Sequence, residues 1–219
     1  MKNRILVVAV HADDETLGCG GTLLKHKANN DKIHWLICTT TNKNKNYYQN
    51  REKEINKVSK LFNFDSVHNL QFETTKIDQY NMNEIIEKIS KVINKVKPSI
   101  IYLPFKEDVH TDHKKVFEAS YSCTKSFRYP FIKKIYMMET LSETEFALST
   151  KKDSFMPNTF VDISKYMDKK IQIMKVYKSE VGKHPFPRSV RSIKALASFR
   201  GSTSRCKFAE SFMLLKEIL

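Results

Sequence analysis

Arg4-Ile5-Leu6-Val7-Val8-Ala9-Val10 runs directly into His11-Ala12-Asp13-Asp14-Glu15-Thr16-Leu17-Gly18-Cys19-Gly20-Gly21. The apolar run is rich in β-branched residues and far too short to span a bilayer or to form a signal-peptide core, so it reads as a buried strand. From His11 onward the chain turns abruptly polar. In a parallel α/β sheet the carboxyl ends of the strands are where ligands bind, so a histidine and three carboxylates crowded at that point are candidates for chemistry.

Outward from this stretch, strands and helices alternate. A helix is expected from about Gly18 to Ala28, a second strand over Lys32–Thr40, a polar loop over Thr41–Asn46, and a helix over Tyr47–Phe62 striped by Ile55, Val58, Leu61 and Phe62. Ser66–Leu70 reads as a short strand, and Met82–Val96 as a helix that Pro98 ends. Ser99–Leu103 is the next buried strand. A helix opens at about His110 and runs to Cys123, and Ile135–Thr140 is strand-like. Beyond it the pattern loosens into a polar stretch over Ser142–Pro157, a short strand at Val161–Ile163, a helix over Ser164–Ser179, a Pro-punctuated loop over Gly182–Arg188, a helix over Ser189–Phe199 and a short last strand at Phe212–Leu215. The alternation predicts a single α/β domain over residues 1–219, with a mostly parallel sheet and an irregular C-terminal third.

The chain has 219 residues, 41% hydrophobic and 28% charged, which excludes wholesale disorder. Its net charge of +14 raises nucleic acid, anionic membranes and anionic substrates as partners. Of its 38 cations only 7 are Arg, the side chain on which base readout and bidentate phosphate recognition lean. The lysines are spread over every segment, which argues against a nucleic-acid face; a gel shift in moderate salt would reveal one. Cys19, Cys38, Cys123 and Cys206 are far apart with no C-x-x-C pair, a pattern that fits a reducing cytosol rather than a disulfide framework.

The second polar cluster comes after the Ser99–Leu103 strand: Asp108-Val109-His110-Thr111-Asp112-His113. His110 and His113 are three apart at a helix start and can face one side of its first turn. With both clusters at strand ends, His11, Asp14 and His113 could converge on one cation, and three protein ligands leave an open position for water, as in catalytic zinc sites. The plainer alternative is that these side chains cap helices.

Taken in order, the HADDE and GCGG segments, Arg51-Glu52-Lys53-Glu54, D-V-H-T-D-H, and the late Pro187-Arg188-Ser189, Arg200-Gly201-Ser202 and Ala209-Glu210-Ser211-Phe212 resemble the PIG-L/LmbE-like zinc-dependent N-acetylglucosaminyl deacetylases. Ala12 and Thr111 depart from that pattern at positions that supply no ligand. The resemblance implies a Rossmann-like sheet with helices on both faces and a metal at the strand ends. It also implies His11, Asp14 and His113 as ligands of Zn2+, or of another divalent ion such as Fe2+. Asp13 becomes the general base, His110 the electrophilic or acid histidine oriented by Asp112, and Arg51 a contact to a substrate hydroxyl.

The function expected on this basis is removal of the acetyl group from an N-acetylated amino sugar, in the cytoplasm, by a homo-oligomer such as a hexamer. Asp112 would raise the His110 pKa or simply cap the helix. Tyr47 and Tyr48 are candidates for a sugar-contacting lid, and His184 or Arg188 for the other wall. A catalytically silent scaffold is the reading left if the polar groups fail to converge.

Overall fold

The computed structural model describes residues 2–41, 45–150 and 152–219. The first half runs β1 (Arg4–Ala9), α1 (Asp14–Ala28), β2 (Lys32–Thr40), α2 (Lys45–Phe62), β3 (Ser66–Glu73), α3 (Met82–Val96) and β4 (Ile100–Leu103). The second half runs α4 (Thr111–Ser122), β5 (Lys134–Met138), β6 (Thr159–Asp162), α5 (Met167–Met174), α6 (Val190–Thr203) and β7 (Ala209–Glu217).

Alternate residues of β1 go to different cores, as a period of two requires. Ile5, Val7 and Ala9 pack with Leu17 and Leu23 of α1, Ile55 and Val58 of α2, Ile171 of α5 and Ile193 of α6. Leu6 and Val8 pack on the opposite face with Ile85, Ile89 and Ile93 of α3 and Val116 of α4. The sheet is therefore covered by helices on both sides, which is why its central strand reads as an unbroken apolar run.

The strand order is β3-β2-β1-β4-β5-β7-β6. The first five are parallel, and β7 pairs antiparallel with both β5 and β6. The result is a mostly parallel, Rossmann-like sheet with a short antiparallel edge. Chain order reverses between β1 and β4, and that switch point is where an open α/β sheet leaves a crevice.

Several element boundaries differ from the sequence reading, and those of α1, α5 and β7 have the clearest physical reasons. Helix α1 begins at Asp14, four residues early, because its first turn accommodates Asp14 and Glu15 where the helix dipole favours carboxylates. The glycine-rich stretch that resembles a helix start is instead a break inside it, at Cys19, where φ is −147°. The groups freed by the break are satisfied from far away in sequence: Glu210 of β7 accepts from the Gly21 and Thr22 N–H groups at 2.8 and 2.7 Å, and Lys170 of α5 donates to the Leu17 carbonyl at 2.8 Å. Lys170 and Glu210 also pair with each other at 2.7 Å, both almost wholly buried.

Helix α5 is shorter than expected. Ser164 forms a turn on the Asp162 carboxylate, and the chain after Met174 breaks into turns that bring the Tyr177 hydroxyl to Glu15 at 2.9 Å. β7 is longer than expected, nine residues, because partners on both sides pair it well beyond its apolar centre.

Gly21 is the tightest point of this packing. A Cβ there would lie 2.7 Å from Cβ and Cγ2 of Ile163, a branched side chain with no freedom to swing aside. Gly21→Ala is expected to cost about 1–3 kcal/mol by overpacking, read as a lower urea midpoint at unchanged m-value.

Candidate active site

A cleft of about 440 Å³ opens over the carboxyl ends of the strands at the switch point. His11 and Asp14 reach it from the turn after β1, and His110 from the loop after β4. His113 lies beneath, in the first turn of α4 and wholly buried.

His11, Asp14 and His113 each offer a ligand atom, all within 4.8 Å of one another. The His113 ring is fixed by its far nitrogen: Nδ1 lies 2.8 Å from Asp108 Oδ2, and Asp108 in turn accepts from the Thr144 hydroxyl at 2.6 Å. A carboxylate behind a histidine is the usual support of a metal-binding imidazole. The other nitrogen, Nε2, is buried with no hydrogen-bond partner and faces Asp14 Oδ2 at 3.4 Å. Burial alone would push the His113 pKa down, but Asp14 and Asp108 outweigh it and lift it to about 9. Asp14 and Asp108 thus concentrate negative charge on this ring, and the donor set suits Zn2+ or a similar divalent ion.

A second set, His11, His110 and Asp112, is also close enough to share an ion. The Asp112 carboxylate is already committed, however. It accepts from the Thr75 and Ile77 N–H groups at 2.7 and 3.3 Å and faces His11 Nε2 at 3.4 Å. The first set, with its orphaned nitrogen, is the better fit.

Asp13 is buried directly before α1, at φ 152°, a backbone state rare outside glycine. Its N–H donates to Glu15 Oε2 at 3.1 Å, and Glu15 is held on its other oxygen by Thr16 and Tyr177. Burial, then the neighbouring Asp14 and Glu180 carboxylates, raise the Asp13 pKa well above the ordinary range; Arg188 opposes them. Burial likewise raises Glu15 to about 7.

His110 is the N-cap of α4, its Nδ1 accepting the Asp112 N–H at 3.1 Å. The neutral ring therefore carries its proton on Nε2. The Asp112 carboxylate lies 4.0 Å from that ring, outside hydrogen-bond reach. Burial and then the neighbouring His11 lower the His110 pKa; Asp112 pulls it upward, as expected, but is outweighed.

Residues 6–124 match the PIG-L family, described as GlcNAc-PI de-N-acetylase. That segment holds both histidine-carboxylate clusters and is more than half of the chain. The chain belongs to the PIG-L family.

Diacetylchitobiose deacetylase of Thermococcus kodakarensis is 21% identical over 226 residues, covering 98% of this chain and 84% of that protein. Among solved structures, the N,N'-diacetylchitobiose deacetylase of Pyrococcus horikoshii superposes with a TM-score of 0.78 at 17% identity, over 98% of this chain and 84% of that one. The 4-carboxy-2-hydroxymuconate hydratase GalB of Pseudomonas putida KT2440 also reaches 0.78, at 14% identity over 100% and 98% of the two chains. Likeness at this level establishes the fold, which serves both a deacetylase and a hydratase; chemistry has to be argued from the site.

In this PIG-L chain the rest of the cleft wall joins residues of the matched segment to Ser142, Glu143, Glu180 and Arg188 from beyond it. Arg51 of α2 lines the cleft, donates to the Ala12 carbonyl at 3.3 Å and to the Tyr47 hydroxyl at 3.1 Å, and pairs with Glu180. Glu180 also holds Arg188, at 3.0 Å, and Arg188 donates to the Ser142 hydroxyl at 2.7 Å. Of the proposed lid, Tyr47 lines the cleft, whereas residues 42–44 fall outside the described residues. Arg188 lines the cleft and His184 does not. Sequence reasoning misses Asp108, Thr144, Glu180 and Glu143. Glu143 lines the cleft, its pKa raised to about 7 by burial despite the opposing pull of His113. Of these only Asp108, five residues before a candidate ligand, carries a local signal.

Proposed function

We propose that this chain is a metal-dependent hydrolase that removes the acetyl group from an N-acetylated amino sugar of the N-acetylglucosamine type. His11, Asp14 and His113 hold the ion, taken to be Zn2+ with Fe2+ as the alternative, and Asp13 is the general base. The observation that carries this reading is the buried, partnerless Nε2 of His113 facing Asp14, a group whose cost is explained by a metal. The net charge of +14 favours a phosphorylated or nucleotide-linked sugar over a neutral one.

Once bound, the ion lowers the pKa of water towards ~7 and polarises the acetyl carbonyl. Asp13 accepts the proton of the attacking water; its raised pKa brings it closer to the operating pH, where a general base is most effective. His110, neutral and with its proton on Nε2, donates a hydrogen bond to the oxygen that becomes negative. A neutral imidazole is a poor source of a full proton, so Asp13 returns the proton it took to the leaving amine. Arg51, braced by Glu180, presents its guanidinium edge to a sugar hydroxyl.

The deciding experiment is metal analysis of the purified chain together with acetate release from N-acetylglucosamine, its phosphates, UDP-linked sugars and glucosaminides. Acetate release that tracks bound metal is expected; a metal-loaded chain that releases none from any of them overturns the reading. Arg51→Met is expected to raise KM about tenfold with a smaller change in kcat, as for lost uniform binding. An unchanged KM would remove Arg51 from the substrate site.

A further inference from the structure

The opposite end of the sheet holds a second polar concavity, of about 240 Å³, bounded by Arg4 of β1, Lys32 and His34 of β2, Ser66 and His68 of β3, and Lys95 of α3. Strand register explains why they meet. Arg4 stands beside Lys32, His34 beside Ser66, and Leu36 beside His68. With a period of two, all of them project from one face, where Leu6 and Leu36 pack against Val96 of α3. At ~3.3 Å per residue, β1 separates this concavity from His11 by about 20 Å.

Its charge is unbalanced. Among the described residues none of Arg4, Lys32 and Lys95 pairs with a carboxylate. The Arg4 guanidinium donates only to the Val96 carbonyl, at 3.4 Å. The carboxylate that acts on His34, Asp65, is committed to Lys27 at 2.7 Å and to the Ile33 N–H at 3.0 Å. Two of the last carbonyls of α3 are covered as well, Ile93 by the Lys97 N–H and Val96 by Arg4.

The two histidines share one hydroxyl. Ser66 Oγ lies 2.8 Å from His34 Nδ1 and 2.9 Å from His68 Nε2. One hydroxyl between two ring nitrogens donates to one and accepts from the other, so one ring must present an N–H on its far side. The far nitrogen of His34, Nε2, is buried with no partner.

We infer that this concavity binds a small tetrahedral oxyanion of the phosphate class. Three permanent cations supply its charge complement, and the hydroxyl-linked His34 and His68 pair forms its polar wall. The volume is below that of pockets for drug-sized ligands, about 300 Å³ and upward, and so suits the bare anion. The occupant and the protons are linked. Burial lowers the pKa of both histidines; Lys95 lowers His68 further, and Arg4, Lys32 and His68 lower His34 against the pull of Asp65. An anion among these cations favours the imidazolium forms, and by reciprocity protonation tightens the anion.

The test is a titration of the full chain with sulfate, which does not itself titrate near neutrality, at constant ionic strength. It is followed by the imidazole resonances of His34 and His68 and by calorimetry. Saturable shifts of both rings are expected, with affinity greater by about tenfold or more at pH 6 than at pH 8. Lys32→Gln with Lys95→Gln should weaken sulfate by at least about tenfold. His34→Gln with His68→Gln should leave binding but remove its pH dependence. Circular dichroism checks that each variant is folded, and the wild-type titration stands without them. No saturable shift, an equal response to chloride, or undiminished affinity in the lysine variant overturns the inference.

Discussion

His113→Ala is expected to strip the metal from the chain and abolish acetate release. The ring is wholly buried, so no solvent-exposed side chain can swing in to replace it, and its removal leaves Asp14 and Asp108 facing a void. Loss of an outer-shell partner alone costs ~10–100-fold in metal affinity. Asp108→Asn should fall in that range, and removal of the ligand itself should exceed it. Metal content by elemental analysis after dialysis checks both. A His113→Ala chain that keeps a full complement of metal would overturn the ligand set.

Asp13→Asn separates binding from chemistry. The amide preserves the size and shape of the carboxylate, so the turn that presents Asp14 should survive. It cannot accept the proton of the attacking water, and kcat is expected to fall by ~10²–10⁴-fold, with metal near one ion per chain and KM little changed. The pair of variants is diagnostic: one loses the ion and therefore the rate, the other the rate alone. Near wild-type turnover in Asp13→Asn would pass the role of base to another group, with Glu143 next to be tested because its carboxylate also lines the cleft.

Much of the fold and the centre of the site are legible in the sequence because each rests on a local signal. The continuous apolar run before His11 marks a strand buried on both faces, and polar residues directly after two such runs mark the strand ends that a parallel sheet brings together. The features that escape a sequence reading are non-local. Glycines 18, 20 and 21 resemble a helix start, yet the chain satisfies the broken helix with side chains more than 150 residues away in sequence. The length of β7 depends on neighbours its own sequence does not show. The anchoring of Asp112 is non-local in the same way, since its oxygens accept from backbone groups of the segment after β3.

The Lys170–Glu210 staple bears on the order of assembly. Glu210 belongs to β7, which must insert between β5 and β6, both of which precede it in the chain. Until it arrives, the Gly21 and Thr22 N–H groups lack their acceptor and the turn bearing Asp13 and Asp14 is attached to an unsecured helix. The parallel half of the sheet, β3-β2-β1-β4-β5, precedes β7 in the chain, so the turn bearing Asp13 and Asp14 is secured only once this nine-residue strand has joined it.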